Sequence, residues 1–518
     1  MEVIMKKCRR VIMFMALLLL FMIGHPINTL AKAQLPEHLY VIKTSEMSDE
    51  EATMIATLQG LLAQKNSKLQ LYLDREYGGY QTWLRNLKAN FGISYSYSED
   101  PWELVKKSKI KSYILFEKGD DSINAATSLS GVTGAIAIEE SLVKKAEFYG
   151  LKEQMDVRGK NEKWVKDHFW PHFMKDKIVE QKEDFAFQLR DFAVKEKSMI
   201  FYDGNSSLRS ELMKGLKKDS AAFGWGDASS GEDQFISPSS KAGVFTIPSD
   251  HASNLSVLST IKTGPLKQKT EDAKPKAKEN THYVTFLMTD GDNVQWLLGD
   301  FQSDNRWYSS PDRGTFNMGW GISPLLSELA PSVMNWYYES ASRGENSDQF
   351  VVGPSGIGYM YPSQYPENEL DQHVKKLNQY MDQSDLHIAQ IIDFNSLKNT
   401  SLWNKYTSQK NIDALFYLEY SRYDTHKGKI VWSNNKPIIS AREMLWDGLD
   451  GADEQSVIDK INSSQRNPKS EQGYTLVLVH AWSKSLSDVK TVVEQLDSDV
   501  EVVTPENFVS LIQENVIR

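Results

Sequence analysis

The chain has 518 residues, of which 40% are hydrophobic and 25% are charged, and its formal net charge is -10. This composition is typical of a globular protein of about two to four domains, and it excludes a disordered, collagen-like or disulfide-framed chain. The 69 acidic residues outnumber the 59 basic ones. We therefore expect neither nucleic acid nor an anionic membrane as a partner, because both are bound by clustered Lys and Arg.

Residues 1–33 have the pattern of a secretory signal peptide. A basic segment at residues 6–10 precedes an apolar run at residues 11–23, and Ala31 and Ala33 supply the small residues of a cleavage site. As a helix the apolar run spans only about 20 Å, which favours cleavage over membrane anchoring. Cys8 is the only cysteine, so the mature protein has no disulfides or thiolate chemistry. We predict a bacterial protein that is secreted, periplasmic or at the cell surface, without stable membrane association.

Residues 37–262 are predicted to form Rossmann-like α/β modules, divided into two or three small subdomains. Short apolar runs alternate with segments of helical composition, as in a parallel sheet. The predicted strands lie at residues 39–42, 69–73, 112–116, 134–138 and 198–202. No complete glycine fingerprint for phosphate binding accompanies them, so we interpret these modules as supporting or recognition units. A Lys-rich linker follows at residues 263–280.

Residues 281–518 are predicted to form a (β/α) barrel-like domain of seven or eight strands. Apolar runs recur there with helix-like segments between most of them, and several runs end in acidic or polar residues, as parallel strands do at a barrel mouth. The predicted strands lie at residues 283–288, 316–322, 333–338, 350–352, 388–392, 414–418, 436–444 and 474–479. A doubly wound sheet gives the same alternation and is the alternative fold.

Five acids follow or end apolar runs in this domain, and a histidine follows the last run. If the runs are barrel strands, the acids converge, and repulsion keeps one carboxyl protonated while a neighbour stays ionised. Glycosidic cleavage needs this division, because one carboxyl protonates the leaving oxygen while another attacks or activates water. The predicted catalytic residues are Asp290, Asp292, Glu339, Asp393, Glu419 and, in an orienting role, His480.

Aromatic residues near these acids favour a carbohydrate ligand. Eight of the 13 tryptophans lie in residues 281–518, and flat apolar rings suit the C–H faces of sugars. Trp296, Trp336 and Trp482 are closest to the predicted acids along the chain, and Tyr420 adds a hydroxyl. We therefore predict an oligo- or polysaccharide as the partner, bound without a cofactor.

The segment 353–362 contains the most distinctive motif of the chain. The glycines at 356 and 358 permit unusual backbone angles or close approach of a ligand, and Tyr359 and Tyr361 follow on the same loop. The motif Gly356-Ile-Gly358-Tyr359-Met-Tyr361-Pro362 resembles the signature of the GxGYxYP family. Asp290-Gly-Asp292-Asn293 is similar to the acidic motif of that family's C-terminal domain. The resemblance covers residues 281–518 and extends to the N-terminal modules, and it implies a glycoside hydrolase. From their place in these loops we predict that Asn293, Gly356, Gly358, Tyr359 and Tyr361 bind the substrate.

Two alternative functions remain open. Residues 478–482 and 503–508 are similar to the last strand and helix of polysaccharide deacetylases, which bind a divalent metal through Asp and an H-x-x-x-H pair. The only such pair, His168 and His172, lies in the N-terminal region, so the metal triad is not matched and we predict no metal site. A metal-dependent deacetylase or esterase would have to use Asp290, Asp292 and His480. The other alternative is a non-catalytic carbohydrate-binding surface protein.

Overall fold

Three small parallel sheets precede one large curled sheet in the computed structural model, which describes residues 35–76, 78–202, 204, 206–269 and 275–518. The predicted signal peptide, residues 1–33, lies outside the described residues. No helix in the described ranges is both long and apolar enough to cross a membrane.

Strands and helices alternate through most of the described ranges. The strands are β1 (His38–Lys43), β2 (Gln70–Asp74), β3 (Ser94–Tyr97), β4 (Ser112–Phe116), β5 (Ile136–Glu139), β6 (Lys152–Asp156), β7 (Lys177–Glu180), β8 (Ile200–Phe201), β9 (Ser220–Gly224), β10 (Val244–Ile247), β11 (His282–Met288), β12 (Met318–Ile322), β13 (Asp348–Val352), β14 (Ile388–Asp393), β15 (Ala414–Glu419), β16 (Ile430–Ser433), β17 (Lys436–Ser440), β18 (Glu443–Leu445), β19 (Tyr474–Val479) and β20 (Val500–Val502). The helices of the N-terminal half are Asp49–Gln64, Tyr80–Phe91, Pro101–Ser108, Ser122–Thr133, Val143–Phe148, Glu162–Phe169, Arg190–Glu196, Ser207–Gly215, Asp233–Ala242 and Leu255–Leu258. The helices of the C-terminal half are Val294–Leu298, Asp300–Ser303, Leu326–Leu329, Pro331–Ser340, Glu367–Ser384, Thr400–Thr407, Glu454–Asn462, Leu486–Val493 and Pro505–Asn515.

The N-terminal half contains three Rossmann-like units, each built on its own parallel sheet. The strand orders are β2-β1-β3, β5-β4-β6 and β10-β9-β7-β8. A long helix, Asp49–Gln64, begins at Ser48, whose hydroxyl accepts a hydrogen bond from the Glu51 amide. Gly60 lets this helix approach the helix Arg190–Glu196, because a side chain there would lie 2.4 Å from the Asp191 carbonyl oxygen. The units are thus packed on one another and not strung along a flexible chain.

The C-terminal half is built on a curled, barrel-like sheet with the order β16-β17-β15-β14-β13-β12-β11-β19-β18. All neighbouring strands are parallel except β16 and β17, and β20 also pairs with β11. One short segment, 436–445, borders both ends of the curl, since Ile438 pairs with β15 and Met444 pairs with β19. The predicted α/β class with Rossmann-like N-terminal units is confirmed, and the curled sheet agrees in part with the predicted barrel-like domain, whose strand number of seven or eight is not confirmed.

One predicted strand is wrong. Residues 333–338 lie in the helix Pro331–Ser340, where Pro331 occupies the first turn and residues four apart, Val333 and Tyr337, face the interior. An apolar run of this length is compatible with a strand or with one face of a helix. Here the buried residues lie four positions apart, which is the spacing of a helix. Glu339 therefore ends a helix and not a strand. Its side chain is 56% exposed and pairs with Lys269.

Candidate functional site

A cavity of about 600 Å3 lies between the third N-terminal unit and the mouth of the curled sheet. Four of its lining residues are acids, six are aromatic, and none of those described is Lys or Arg. The lining comprises Trp225, Glu232, Pro248, Asp250, His251, Asp290, Asp292, Asn293, Gln295, Pro354, Tyr359, Ile392, Tyr420, Tyr423, Trp446, His480 and Trp482. Acidic and aromatic side chains therefore converge in one concave site.

The acidic motif forms the turn that leaves β11. Asp290 has a left-handed backbone (φ 64°), and the next residue, Gly291, lies against Gly321 at the end of β12. A side chain on Gly291 would lie 1.9 Å from the Gly321 carbonyl carbon, and one on Gly353 would lie 2.3 Å from the Asp292 amide nitrogen. Only glycines fit where these strand ends approach so closely, and this packing fixes both carboxyls of the turn at the cavity wall.

The two carboxyls of this turn have different surroundings. Asp290 accepts hydrogen bonds from Trp482 Nε1 at 3.0 Å and from the Thr289 hydroxyl. Asp292 is 7% exposed and receives no hydrogen bond from another side chain in the described ranges. Desolvation raises the pKa of both, but the two donors oppose the rise at Asp290. Burial, then the charges of Asp290 and Glu232, hold the pKa of Asp292 well above its usual range. Of the two carboxyls, Asp292 therefore has the stronger tendency to keep its proton.

A third carboxyl, that of Glu232, comes from the third N-terminal unit and was not predicted from the sequence. It immediately precedes the helix Asp233–Ala242, and its Oε2 accepts a hydrogen bond from the Tyr359 hydroxyl at 2.9 Å. Burial and then the charge of Asp290 raise the pKa of Glu232, while the Tyr359 donor opposes the rise. Glu232 does not directly follow a strand, so the pattern of acids at strand ends does not include it.

The signature loop joins the curled sheet to the third unit. The Tyr359 amide donates to the Thr246 carbonyl at 2.7 Å, and the Thr246 amide donates back at 2.9 Å. A side chain on Gly358 would lie 2.7 Å from the Thr246 carbonyl oxygen, and Gly356 has φ 111°. The two glycines therefore allow the loop to dock on β10, and neither lines the cavity. Tyr361 is fully buried, whereas Tyr359 lines the cavity.

His480 also lines the cavity, in a neutral form. Its ring stacks on Trp446 with 3.5 Å between centroids and an interplanar angle of 4°. Nδ1 shares a hydrogen bond of 2.8 Å with the Ser483 hydroxyl. Burial lowers the pKa of His480 to about 4. The imidazole is therefore uncharged near neutral pH and suits hydrogen bonding better than charge pairing.

Two predicted acids lie at strand ends but do not line the cavity. Asp393 accepts hydrogen bonds from the Ser363 amide and from the hydroxyls of Ser363 and Ser396. Glu419 accepts them from the Asn395 amide and the Tyr417 hydroxyl. Both carboxyls bind neighbouring loops, so their structure supports a stabilising role. Glu339 is also remote from the cavity, at an exposed position in the last turn of its helix.

Some of the predicted binding residues line the cavity, and others lie in the core. Asn293, Tyr420 and Trp482 line the cavity, and Trp482 is 45% exposed. Trp296 is buried behind Trp482 with 5.2 Å between ring centroids. Trp336 packs on Trp83 at 5.4 Å, away from the cavity. Large aromatic residues in this domain thus serve both the core and the cavity.

The residues do not fit a metal centre. No group of three or more His, Cys, Asp or Glu side chains in the described ranges is placed to hold a metal ion. His168 shares a hydrogen bond with the Trp164 carbonyl, and its ring packs on the Trp164 indole. We therefore derive no metal-assisted step from this site.

The fold and cavity define a class of proteins in which three Rossmann-like units support a curled parallel sheet with a buried acidic mouth. Family models match this chain over residues 38–109, 110–173, 175–260 and 280–513. The first three are the first, second and third domains of GxGYxYP proteins, and the last is described as "GxGYxYP putative glycoside hydrolase C-terminal domain". The chain belongs to the GxGYxYP family, and the resemblance seen in its sequence is confirmed.

A solved structure is similar over almost the whole chain. It is a crystal structure titled as "a putative hydrolase from Bacteroides thetaiotaomicron VPI-5482", with 36% sequence identity and a TM-score of 0.87. The likeness covers 93% of this chain and 96% of that one. A comparison with curated proteins gave no match.

Proposed function

We propose that this protein is a glycoside hydrolase that cleaves oligo- or polysaccharides with paired carboxyl groups. The observation that carries the proposal is the convergence of Asp290, Asp292 and Glu232 on one aromatic-lined cavity. Trp482 donates a hydrogen bond to Asp290 and Tyr359 donates one to Glu232, whereas no side chain in the described ranges donates one to Asp292. The family description and the similar hydrolase structure support the same class of reaction.

The proposed general acid is Asp292. Its buried carboxyl keeps a proton because ionisation would bring a third charge beside Asp290 and Glu232 without a side-chain donor. A carboxylic acid in that state can protonate the leaving glycosidic oxygen.

The proposed base or nucleophile is Glu232. It enters from the third N-terminal unit, whereas Asp292 enters from the end of β11, so the two approach a bound sugar from different parts of the structure. The Tyr359 hydroxyl stabilises the carboxylate form of Glu232. Asp290 then has a positioning role, because it keeps Asp292 protonated and holds the Trp482 ring at the cavity wall.

The chemistry can be tested with sugar-releasing assays. We expect release of reducing ends from some member of a panel of neutral polysaccharides, or of nitrophenol from aryl glycosides. Asp292→Asn and Glu232→Gln should each lower kcat by about 100- to 10,000-fold, the usual contribution of a general acid or base. Glu339→Gln, at an exposed acid on a helix, is the matched control and should leave kcat unchanged.

Each alternative gives a different result in the same experiments. A binding protein would retain glycan affinity and show no turnover, even with Asp290, Asp292 and Glu232 all replaced. A metal-dependent deacetylase would release acetate, and chelation would abolish that release. Undiminished glycosidase activity in both Asp292→Asn and Glu232→Gln would contradict the proposed mechanism.

Export is part of the proposal and rests on the sequence of residues 1–33 alone. N-terminal sequencing of the protein recovered from the culture medium or periplasm should begin at Gln34. Recovery of uncleaved chain from the membrane fraction would contradict it.

A further inference from the structure

A second cavity of about 250 Å3 adjoins the acidic one. Four residues line both cavities, namely His251, Asn293, Gln295 and Trp482. The His251 amide donates to Gln295 Oε1 at 2.5 Å, which joins the third N-terminal unit to the C-terminal half along this shared wall. The two cavities are therefore neighbouring parts of one cleft.

The far end of the second cavity carries charged and polar groups. Arg75 and Tyr80 reach it from the first N-terminal unit, and Asp300 reaches it from the C-terminal half. The Arg75 guanidinium lies 5.2 Å from the Tyr80 ring centroid and donates to the His251 carbonyl. A guanidinium and a carboxylate supply donors and acceptors of the kind that sugar hydroxyls use.

Trp482 stands at the junction of the two cavities. Its indole is fixed by Asp290 at 3.0 Å and packs on Trp296 and Trp307, with 5.2 and 6.2 Å between ring centroids, yet the residue is 45% exposed. A rigid, half-exposed aromatic ring in a cleft offers an apolar face for ligand packing at little cost in side-chain entropy.

We infer that the second cavity is a saccharide subsite, so that the protein binds oligosaccharides of at least two units in preference to monosaccharides. The inference rests on the proposed glycoside hydrolase function. One sugar unit lies in the acidic cavity, and the adjacent unit packs past Trp482 toward Arg75 and Asp300.

The test is a titration of Glu232→Gln, which is expected to slow turnover, with gluco-, xylo-, manno- and chito-oligosaccharides of one to four units. In the sugar series that binds, two or three units should bind about tenfold more tightly than one, which corresponds to about 1.4 kcal/mol. Adding Asp300→Trp fills the second cavity and should remove this gain. Asn305→Trp, at an exposed residue that lines neither cavity, is the matched control and should retain it.

Equal affinity for one unit and for several would overturn the second subsite, as would equal losses in the Asp300 and Asn305 variants. Absence of binding across the whole panel would instead contradict the proposed carbohydrate function. A crystal structure of Glu232→Gln with a bound trisaccharide gives a readout that needs no cavity-filling variant. A sugar unit between Trp482 and Arg75 supports the inference, and a second unit directed into solvent overturns it.

Discussion

Replacing Tyr359 by Phe tests the role proposed for Glu232. The substitution removes one hydroxyl, which donates to Glu232 Oε2 at 2.9 Å and lies 3.4 Å from the Tyr361 hydroxyl. The ring stays packed beside Trp225, and the two backbone hydrogen bonds to Thr246 are untouched. The variant should therefore fold normally and lose the donor to the half-buried carboxyl of Glu232 together with the weaker contact to Tyr361.

The expected loss follows from the strength of such a bond. A hydrogen bond to a charged group contributes about 1.5–3 kcal/mol, which corresponds to about 10- to 150-fold in kcat/KM. The Tyr359 donor lowers the pKa of Glu232 against the effect of burial, so its removal raises that pKa further. If Glu232 must be ionised, the acid limb of the pH profile moves to higher pH. The activity deficit is then greatest at low pH and shrinks as the pH rises.

The assay is the pH profile of kcat/KM for wild type, Tyr359→Phe and Tyr365→Phe. Tyr365 is a matched control because it is also buried, and its hydroxyl donates to Asp219 Oδ1 at 3.4 Å outside the cavity. An acid limb that stays in place in Tyr359→Phe would refute the role of Glu232. An equal shift in both variants would refute the specificity of the effect.

Three further predictions concern stability and substrate charge. Because the native state raises the pKa of Asp292, the folded protein binds this proton more tightly than the unfolded chain and loses stability as the pH rises. In thermal unfolding, Asp292→Asn should therefore have a higher Tm than wild type at pH 8 and a similar Tm at about pH 4. A difference in Tm that does not depend on pH would contradict the raised pKa of Asp292. Gly358→Ala should lower the free energy of unfolding by about 1–3 kcal/mol in chemical denaturation, because its side chain would overlap β10. Gly264→Ala should leave the free energy of unfolding unchanged, because no atom lies within 4 Å of the added carbon. Equal stability of the two variants would contradict tight docking of the signature loop. The uronide of whichever aryl glycoside is cleaved should react about 100-fold more slowly than the neutral glycoside. The reason is the repulsion between the uronate and an acid of the cavity, which is roughly 2–3 kcal/mol for like charges about 6 Å apart at an effective dielectric constant near 20. Comparable rates would show that the acidic cavity does not select against anions.

The elements that could be predicted from the sequence are those buried on both faces, because such burial requires a continuous run of apolar residues. Strands such as β11 and β19 are covered on both faces, so their residues are almost all hydrophobic and their ends are visible. Asp290, Asp292 and His480, which follow these two strands, line the cavity, and their catalytic role stays a prediction.

Other parts of the site depend on contacts that no local pattern encodes. Glu232 lies before a helix about 60 residues from the acidic turn, and only the docking of the third unit brings it to Tyr359. Asp393 and Glu419 satisfy the strand-end criterion, but nearby amides and hydroxyls occupy their carboxyls. A sequence does not distinguish an acid that faces a mouth from one that binds its own loop.

The paired hydrogen bonds between Thr246 and Tyr359 have an evolutionary consequence. Since they join the loop that carries Tyr359 to β10 of the third unit, we expect mutations at β10 or at the signature loop to change the shape of the cavity without altering any carboxyl. We expect substitutions on the two sides of this joint to be coupled, because a change in β10 alters the surface on which the signature loop packs.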